Sequence, residues 1–289
     1  MVIGVIGEGL FGSWFVRFFQ MWFPETTVMV SDLDTPLTNI SLAEQANVIL
    51  VAVPVGVLPA VLSEIAPYTR PDQLIIEIAS TNKEAIHDAL LKTRAEFWQI
   101  HPMCRPPEAL TFSGFTVVIA EEDRLELWRA WTKTFLAATK GKVVQLPLAK
   151  MDRYAALVQV AVHVPLLAYC KTLMAFHAET DEPSRFVDEL FQVASGFYQI
   201  TMATMLRIIR QEPSLYWNVI HENPHSDAVL DVFERELRTL RAILATNNFP
   251  AFEQIFLGGR EFADEENLKK GFKLFDVLKR DAETLWNEK

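Results

Sequence analysis

Hydrophobic residues in the first half of the chain form short continuous runs, and helix-like segments lie between these runs. The runs occupy residues 2–6, 27–30, 48–53, 74–78, 97–100, 116–119 and 142–146. Candidate helices lie near residues 10–22, 55–66, 82–94 and 122–138. Strands that are apolar throughout and separated by helices are typical of a mostly parallel sheet with both faces covered. The pattern therefore predicts a doubly wound α/β domain over residues 1–146.

After residue 146 the strand-like runs end, and apolar residues recur with the 3.6-residue period of a helix. These segments cover residues 149–177, 183–211, 213–222, 225–246, 249–257 and 260–286. We predict loops at residues 247–250 and at Gly258-Gly259, because asparagine, proline and glycine interrupt helices. The second domain, residues 147–289, is therefore expected to be all-helical.

The composition fits two hydrophobic cores and excludes disorder as the main state. Half of the 289 residues are hydrophobic and 22% are charged. The 27 basic and 37 acidic residues give a formal net charge of -10, which argues against a nucleic-acid-binding surface. An anionic substrate is not excluded, because a site can be locally basic within an acidic protein.

Cysteine and histidine usage predicts neither a disulfide framework nor a metal site. Cys104 and Cys170 are the only cysteines, which fits a reducing cytoplasm. His221 and His225 have the spacing of metal ligands on a helix, but Pro224 lies between them and no partner ligand is clearly positioned.

No targeting segment and no membrane span is predicted. The first strand pattern begins at Val2, without a basic leader before it. The apolar residues 46–62 contain Pro54, Gly56 and Pro59, which a spanning helix would not place there. The other apolar stretch, residues 154–170, is interpreted as a helix buried at a domain or subunit interface.

A glycine motif lies between the first strand and the first helix. Gly7, Gly9 and Gly12 have the spacing G-x-G-x-x-G, which allows a tight turn, close approach of a pyrophosphate and close packing of helix on strand. Asp32 ends the second strand, where a carboxylate can bind ribose hydroxyls and repel a 2′-phosphate, so NAD is favoured over NADP. The alternative is that Asp32 is an ordinary turn residue. The predicted cofactor-binding residues are Gly7, Gly9, Leu10, Phe11, Gly12, Asp32, Val53 and Pro54.

His101 is the candidate general base, because oxidation of an alcohol by hydride transfer needs a group that accepts the hydroxyl proton. It follows a short predicted strand, and Pro102 favours an extended turn there. Ser80 also follows a strand and is placed to orient His101 or the substrate hydroxyl. The alternatives are a surface-loop histidine, and a Ser80 or Thr81 that merely caps the next helix.

A polar stripe on the apolar helix near residue 160 is the second candidate. Asp152, Gln159 and His163 lie within roughly 40° of one another at about 100° per residue. Buried polar groups without partners are costly, so the stripe faces either a ligand or a satisfied core network. On a later apolar helix, one of Arg207 and Arg210 is expected to reach solvent and the other to be held inward as a fork for a carboxylate.

These motifs, in this order, resemble the prephenate/arogenate dehydrogenase family. The resemblance covers nearly the whole chain, and a His-Pro-Met loop paired with a Gln-x-x-x-His helix is far more specific than the glycine motif. It rests on Gly7, Gly9 and Gly12, Ala79-Ser80, His101-Pro102-Met103, Asp152 with Gln159 and His163, and Arg207 before Glu212-Pro213-Ser214-Leu215-Tyr216.

The resemblance implies NAD-dependent oxidative decarboxylation of prephenate to 4-hydroxyphenylpyruvate, in tyrosine biosynthesis, by a homodimer without a chorismate mutase domain. In the family pattern, the residue matching His101 accepts the C4-hydroxyl proton, and the one matching Ser80 bonds in the same cluster. The match to Arg207 binds a carboxylate of this dicarboxylate substrate, and the matches to His163 and Gln159 line the substrate site. Aromatisation supplies the driving force, so the protein mainly positions and polarises.

Two departures from the family pattern bear on function. Lys83 lies one position later than the family lysine after the Ser80 turn, so the family role is not carried over to it. The loop after Met103 reads Cys104-Arg105-Pro106-Pro107, which gains a cation and loses an acid. Because arogenate carries an ammonium where prephenate carries a keto group, we predict that Arg105 helps to bind substrate and that prephenate is preferred.

Other interpretations stay open at this stage. Arogenate or an amino-substituted prephenate is an alternative substrate. Another NAD-dependent dehydrogenase or imine reductase would share the architecture, but neither Lys150 nor Lys171 matches the catalytic lysine of the β-hydroxyacid type. A non-catalytic NAD-binding sensor or dimeric scaffold is the alternative from a different class.

Overall fold

The computed structural model describes residues 1–180 and 183–287, and its amino-terminal half contains a seven-stranded sheet. The strands are β1 (Val2–Ile6), β2 (Thr27–Ser31), β3 (Val48–Val51), β4 (Leu74–Glu77), β5 (Glu96–Pro102), β6 (Thr116–Ala120) and β7 (Lys142–Leu146). They are arranged in the order β2-β1-β3-β4-β5-β6-β7. Strands β1 to β5 are parallel, β6 is antiparallel to β5, and β7 is parallel to β6. The prediction of a mostly parallel sheet is confirmed.

Helices from this half of the described chain cover both faces of the sheet. They are α1 (Leu10–Trp22), α2 (Asn39–Gln45), α3 (Leu58–Ile65), α4 (Lys83–Leu90) and α5 (Arg129–Thr139). One core contains Leu62 and Ile86 from α3 and α4. The other contains Trp14 and Phe15 from α1 and Phe135 from α5. Because successive strand residues contribute to opposite cores, the sheet is buried on both sides and the doubly wound class is confirmed.

The second half of the described chain is helical, as predicted. It contains α6 (Leu148–Ala155), a π-helical segment (Ala156–Val160), α7 (Ala161–His177), α8 (Phe186–Val193), α9 (Gly196–Ile209), α10 (Pro213–His221), α11 (Ser226–Ala245) and α12 (Phe249–Asn287). The segment predicted at 183–211 is two helices, because the chain is extended at Ala194 and Ser195.

The loop predicted at Gly258-Gly259 is wrong. Helix α12 continues through both glycines, and its non-helical residue is Asp264, with φ 57° and ψ 163°. A glycine inside a helix costs only about 1 kcal/mol relative to alanine, so flanking residues with good helix propensity can carry a helix through it. The pattern therefore overestimated the glycine pair as a helix breaker.

The chain divides into two compact units. The sheet unit comprises Met1–Val158 and Trp217–Ser226. The helical unit comprises Gln159–Tyr216 and the described residues from Asp227 onward. The boundary at residues 146 and 147 stays a prediction.

The helical stretch Leu148–His177 is long and apolar enough to cross a membrane by length and composition alone. Only 11% of its most apolar window is buried within the chain. Helix α7, which forms most of this stretch, has no fully buried residue. The expected burial of residues 154–170 at a domain or subunit interface stays a prediction.

Candidate active site

The three glycines of the loop between β1 and α1 meet different constraints. Gly7 has φ 93°, a left-handed conformation that favours glycine. A Cβ on Gly12 would lie 1.8 Å from the Gly7 carbonyl oxygen, so the helix can pass this loop only without a side chain there. A Cβ on Gly9 would meet nothing within 4 Å. The open space at Gly9 is therefore not needed by the fold.

The amino terminus of α1 is free to bind an anion. Gly9 is the N-cap of α1, and no side chain caps it. The first backbone N–H groups of a helix have no partner within the helix and favour negative charge. Leu10, the first residue of α1, is 63% exposed, and Phe11 behind it is half-buried. The loop fits the phosphates of a dinucleotide.

Asp32 lies directly after β2, beside the glycine loop. Its carboxylate accepts hydrogen bonds from the backbone N–H of Glu8 and, at 2.6 Å, from that of Leu33. Val53 and Pro54 follow β3, and a Cβ on Gly7 would lie 3.0 Å from Val53 Cγ1. The structure thus brings the predicted cofactor-binding residues together at the carboxyl edge of β1, β2 and β3.

His101 lies within β5 rather than in a surface loop, so the surface-loop alternative is wrong. It is paired with Val118 of β6 and is 5% exposed. Burial, and next the charge of Lys83, lower the pKa of His101 to about 3. The imidazole is therefore neutral at physiological pH and has a free nitrogen lone pair, but a pKa this low makes it a weak base.

Ser80 follows β4, the strand parallel to β5, and is half-buried. Glu77 and Gln99 are register partners, so Ser80 and His101 both lie just beyond that pair at one edge of the sheet. The helix that follows is not capped by Ser80 or Thr81. Its N-cap is Asn82, and Asp152 Oδ2 accepts a 2.7 Å hydrogen bond from the Lys83 backbone N–H.

A buried polar network that the sequence analysis did not predict lies beneath these two residues. The Lys83 Nζ donates hydrogen bonds to Glu77 Oε1 at 2.5 Å and to the Ile100 carbonyl at 2.9 Å. Gln99 Nε2 donates to Glu77 Oε1 at 3.2 Å, and the Gln99 backbone N–H donates to Asp123 Oδ1 at 2.8 Å. Burial, the largest cause, raises the pKa of Asp123 to about 8. The only signal in the sequence was a glutamate at the end of an otherwise apolar strand.

The polar stripe of the apolar helix divides into two parts. Asp152 is satisfied, because it also accepts from Thr81 Oγ1 at 3.3 Å, and burial raises its pKa. Gln159 Oε1 and His163 Nδ1 are buried and without a hydrogen-bond partner among the described residues. Buried polar atoms are nearly always paired, so this end of the stripe is the part that suits a ligand.

The helical unit holds Gln159, His163 and Arg207. The His163 ring meets the Tyr216 ring edge to face, with centroids 4.8 Å apart. Burial and then the charge of Arg207 lower the pKa of His163. Arg207 and Arg210 are both exposed, so the expectation that one of them is held inward is wrong. An exposed guanidinium on α9 can still bind a dissolved carboxylate. The sequence analysis named Tyr216 only as part of the motif after Arg207 and did not predict this contact.

Arg105 is exposed in the loop after β5 and belongs to the sheet unit with His101 and Ser80. Its neighbour Cys104 is half-buried, and burial raises the pKa of its thiol to about 11. Among the described residues, no group of three or more histidine, cysteine, aspartate or glutamate side chains is arranged to hold a metal ion.

Two family models match the chain. Residues 27–145 match the model described as prephenate dehydrogenase, nucleotide-binding domain, and residues 148–257 match prephenate dehydrogenase, dimerization domain. The chain is 25% identical over 273 residues to the probable arogenate/prephenate dehydrogenase of Methanocaldococcus jannaschii, with 88% of this chain covered. It spans only 59% of the length of that relative.

Solved structures share the fold. The prephenate dehydrogenase of Aquifex aeolicus in complex with hydroxyphenyl propionate and NAD+ has a TM-score of 0.69 at 15% identity, covering 91% of this chain and 98% of that one. The arogenate dehydrogenase of Synechocystis has a TM-score of 0.65 at 16% identity, covering 92% of this chain and 100% of that one. At these identities the similarity shows the fold alone.

Proposed function

The chain belongs to the prephenate dehydrogenase family, and from this premise we propose that it oxidises and decarboxylates prephenate with NAD+, giving 4-hydroxyphenylpyruvate. One observation carries the proposal: a buried, neutral His101 lies in the same sheet unit as the glycine loop, at the carboxyl end of its strand. Ligands of open α/β sheets bind outside the carboxyl ends of the strands. A proton acceptor and a nucleotide loop are thus provided by one scaffold.

Each predicted site residue has a role in this proposal. Bound NAD+ would supply the hydride acceptor. His101 accepts the proton of the C4 hydroxyl, and Ser80 hydrogen-bonds the same hydroxyl or the imidazole. Arg207 binds a substrate carboxylate. Gln159 and His163 line the substrate site, where polar groups of the substrate would be the hydrogen-bond partners that Gln159 Oε1 and His163 Nδ1 lack. Arg105 adds a cation to the loop after β5.

The proposed assembly is a homodimer formed through the helical unit. The second family model is a dimerization domain, and it covers α7 through α11. Large apolar side chains in this unit are strongly exposed, including Phe176, Val193, Phe197, Tyr198 and Leu244. Exposed apolar patches of this kind mark protein interfaces. We propose the cytoplasm as its location, since both cysteines are free.

Prephenate should be oxidised with a higher kcat/KM than arogenate, and NAD+ should be preferred over NADP+. Relatives are named for prephenate and for arogenate, so their names do not decide the substrate. The predicted preference for prephenate rests on Arg105, whose positive charge repels the ammonium group of arogenate. Initial rates of cofactor reduction with each substrate and each cofactor, at matched concentrations, measure both preferences. Arg105→Gln should narrow the substrate preference. A higher kcat/KM for arogenate than for prephenate in the wild-type protein would contradict the predicted substrate preference.

Gly9→Ala should weaken NAD+ binding about tenfold or more without changing the melting temperature, since its methyl enters open space where a pyrophosphate approaches. Gly12→Ala should instead lower the melting temperature, because its Cβ collides with the Gly7 carbonyl. Calorimetric titration with NAD+ and thermal unfolding separate the two effects. Gly258→Ala is the matched control, because its Cβ also meets nothing within 4 Å. Equal NAD+ affinity of Gly9→Ala and wild type would remove the glycine loop from the cofactor site.

A further inference from the structure

Lys83 and Glu77 form a fully buried ion pair that the proposed chemistry does not use. Their side chains are 1% and 0% exposed. Withdrawing two charges from water is unfavourable, and well-packed apolar residues often stabilise such a position better. Stability of the sheet therefore does not by itself explain the pair.

The pair connects the two predicted catalytic segments. Glu77 ends β4, and its Oε2 accepts a 2.8 Å hydrogen bond from the Ala79 backbone N–H, next to Ser80. Lys83 Nζ donates to the carbonyl of Ile100, the residue before His101. Asn82, the N-cap of α4, has a left-handed conformation with φ 62°, and Lys83 follows it as the first residue of the helix. One ion pair thus fixes the turn of Ser80 and the end of β5.

The ammonium group of Lys83 also acts on His101 electrostatically. A nearby cation disfavours protonation of the imidazole, and this charge is the second cause of the lowered pKa of His101, after burial. The other titratable or charged groups in the same network are Glu77 on β4, Glu84 and His87 on α4, Glu122 and Asp123 after β6, and Asp152 on α6.

We propose that Lys83 and Glu77 are positioning residues for the reaction: the pair fixes the turn of Ser80 and the end of β5, and so presents the His101 ring to the substrate. This role rests on the proposed function, in which His101 is the base. It is an addition to the family pattern, because Lys83 lies one position later than the family lysine.

The double variant Glu77→Gln with Lys83→Met tests the pair, because it removes both charges at similar volume and leaves neither one unpaired. The pKa of His101, followed by NMR of histidine-labelled apoprotein and assigned with His101→Asn, should rise by about 1 unit. Removing the cation makes the imidazole more basic, so loss of alignment is the only effect here that lowers kcat: kcat should fall about tenfold while the KM for NAD+ stays unchanged. Ile86→Ala on α4, also fully buried, should lose thermal stability without moving this titration.

Two results would overturn the role. One is an unchanged kcat in the folded double variant. The other is a wild-type His101 that titrates near the ordinary histidine value of about 6.5, which needs no variant and would show that the ring is not held in the buried site beside Lys83. Because the titration is read without turnover, a shift in a protein that oxidises neither prephenate nor arogenate supports the pair and rejects the proposed substrate.

Discussion

Replacing His101 by asparagine should lower kcat by about 10²- to 10⁴-fold, the usual contribution of a positioned general base. Asparagine keeps a polar side chain of similar size in the buried site but cannot accept a proton at neutral pH. NAD+ affinity should barely change, because the glycine loop lies on β1 and α1 while His101 lies on β5. Steady-state kinetics with prephenate and calorimetric titration with NAD+ measure the two quantities separately.

His221→Asn is the matched control for this substitution. His221 is an exposed residue of α10 in the same compact unit, with its ring stacked on Trp217. Its replacement should leave both kcat and NAD+ affinity near the wild-type values. If His101→Asn retains the wild-type kcat, His101 is not the base. If the wild-type protein binds NAD+ and oxidises neither prephenate nor arogenate, the sensor or scaffold interpretation gains.

The free energy of unfolding of the wild type and of His101→Asn, measured as a function of pH, tests the buried environment of His101. With a folded pKa of about 3 and an unfolded value of 6.5, His101 binds protons mainly in the unfolded chain between these limits. Its contribution therefore favours folding at pH above 6.5 and is lost as pH falls toward 3, by about 1.4 kcal/mol per pH unit. Asp123, with its pKa raised to about 8, contributes in the opposite direction, since its stabilisation is lost as pH rises to 8. The difference in unfolding free energy between wild type and His101→Asn isolates the histidine part.

The hydrophobic pattern was sufficient to predict the sheet, because a strand that is buried on both faces is apolar along its whole length. Ile49 and Ile75, both fully buried, are examples. The pattern failed for α2, whose seven residues are too few to show a helical period. It also failed for Asp152, whose spacing of seven and eleven residues placed it on one helix face with Gln159 and His163. A π-helical segment at Ala156–Val160 interrupts that helix, so the assumed period of 100° per residue does not hold between them.

Motif spacing located His101, Ser80 and the glycine loop, because each follows a strand at the edge where such sheets bind ligands. Motif spacing could not predict the buried polar network that supports these residues. Glu77, Lys83 and Gln99 come from three elements, and their contacts depend on the register of β4 with β5 and on the left-handed turn at Asn82. Nothing in the spacing of those residues indicates that a lysine will be buried. The family pattern had even suggested that Lys83 is displaced from its usual place.

Arg207→Ala should raise the KM for prephenate by about 10- to 100-fold and leave kcat and NAD+ affinity nearly unchanged. A hydrogen-bonded contact to a charged group contributes about 1.5–3 kcal/mol, which corresponds to this loss when the contact is made equally in substrate and transition state. The charge of Arg207 is, after burial, the second cause of the lowered pKa of His163. The pKa of His163, read by NMR without substrate, should therefore rise in the same variant.

Arg210→Ala is the matched control, because Arg210 is also exposed and ends the same helix. The sequence alone did not decide which of the two arginines binds the carboxylate, whereas the structure identifies Arg207 as the one whose charge acts on His163. Arg210→Ala should therefore change neither the KM for prephenate nor the titration of His163. A larger KM effect in Arg210→Ala than in Arg207→Ala would assign the carboxylate contact to the other arginine. If Arg207→Ala shifts the His163 titration without raising KM, the two residues are neighbours but the carboxylate binds elsewhere.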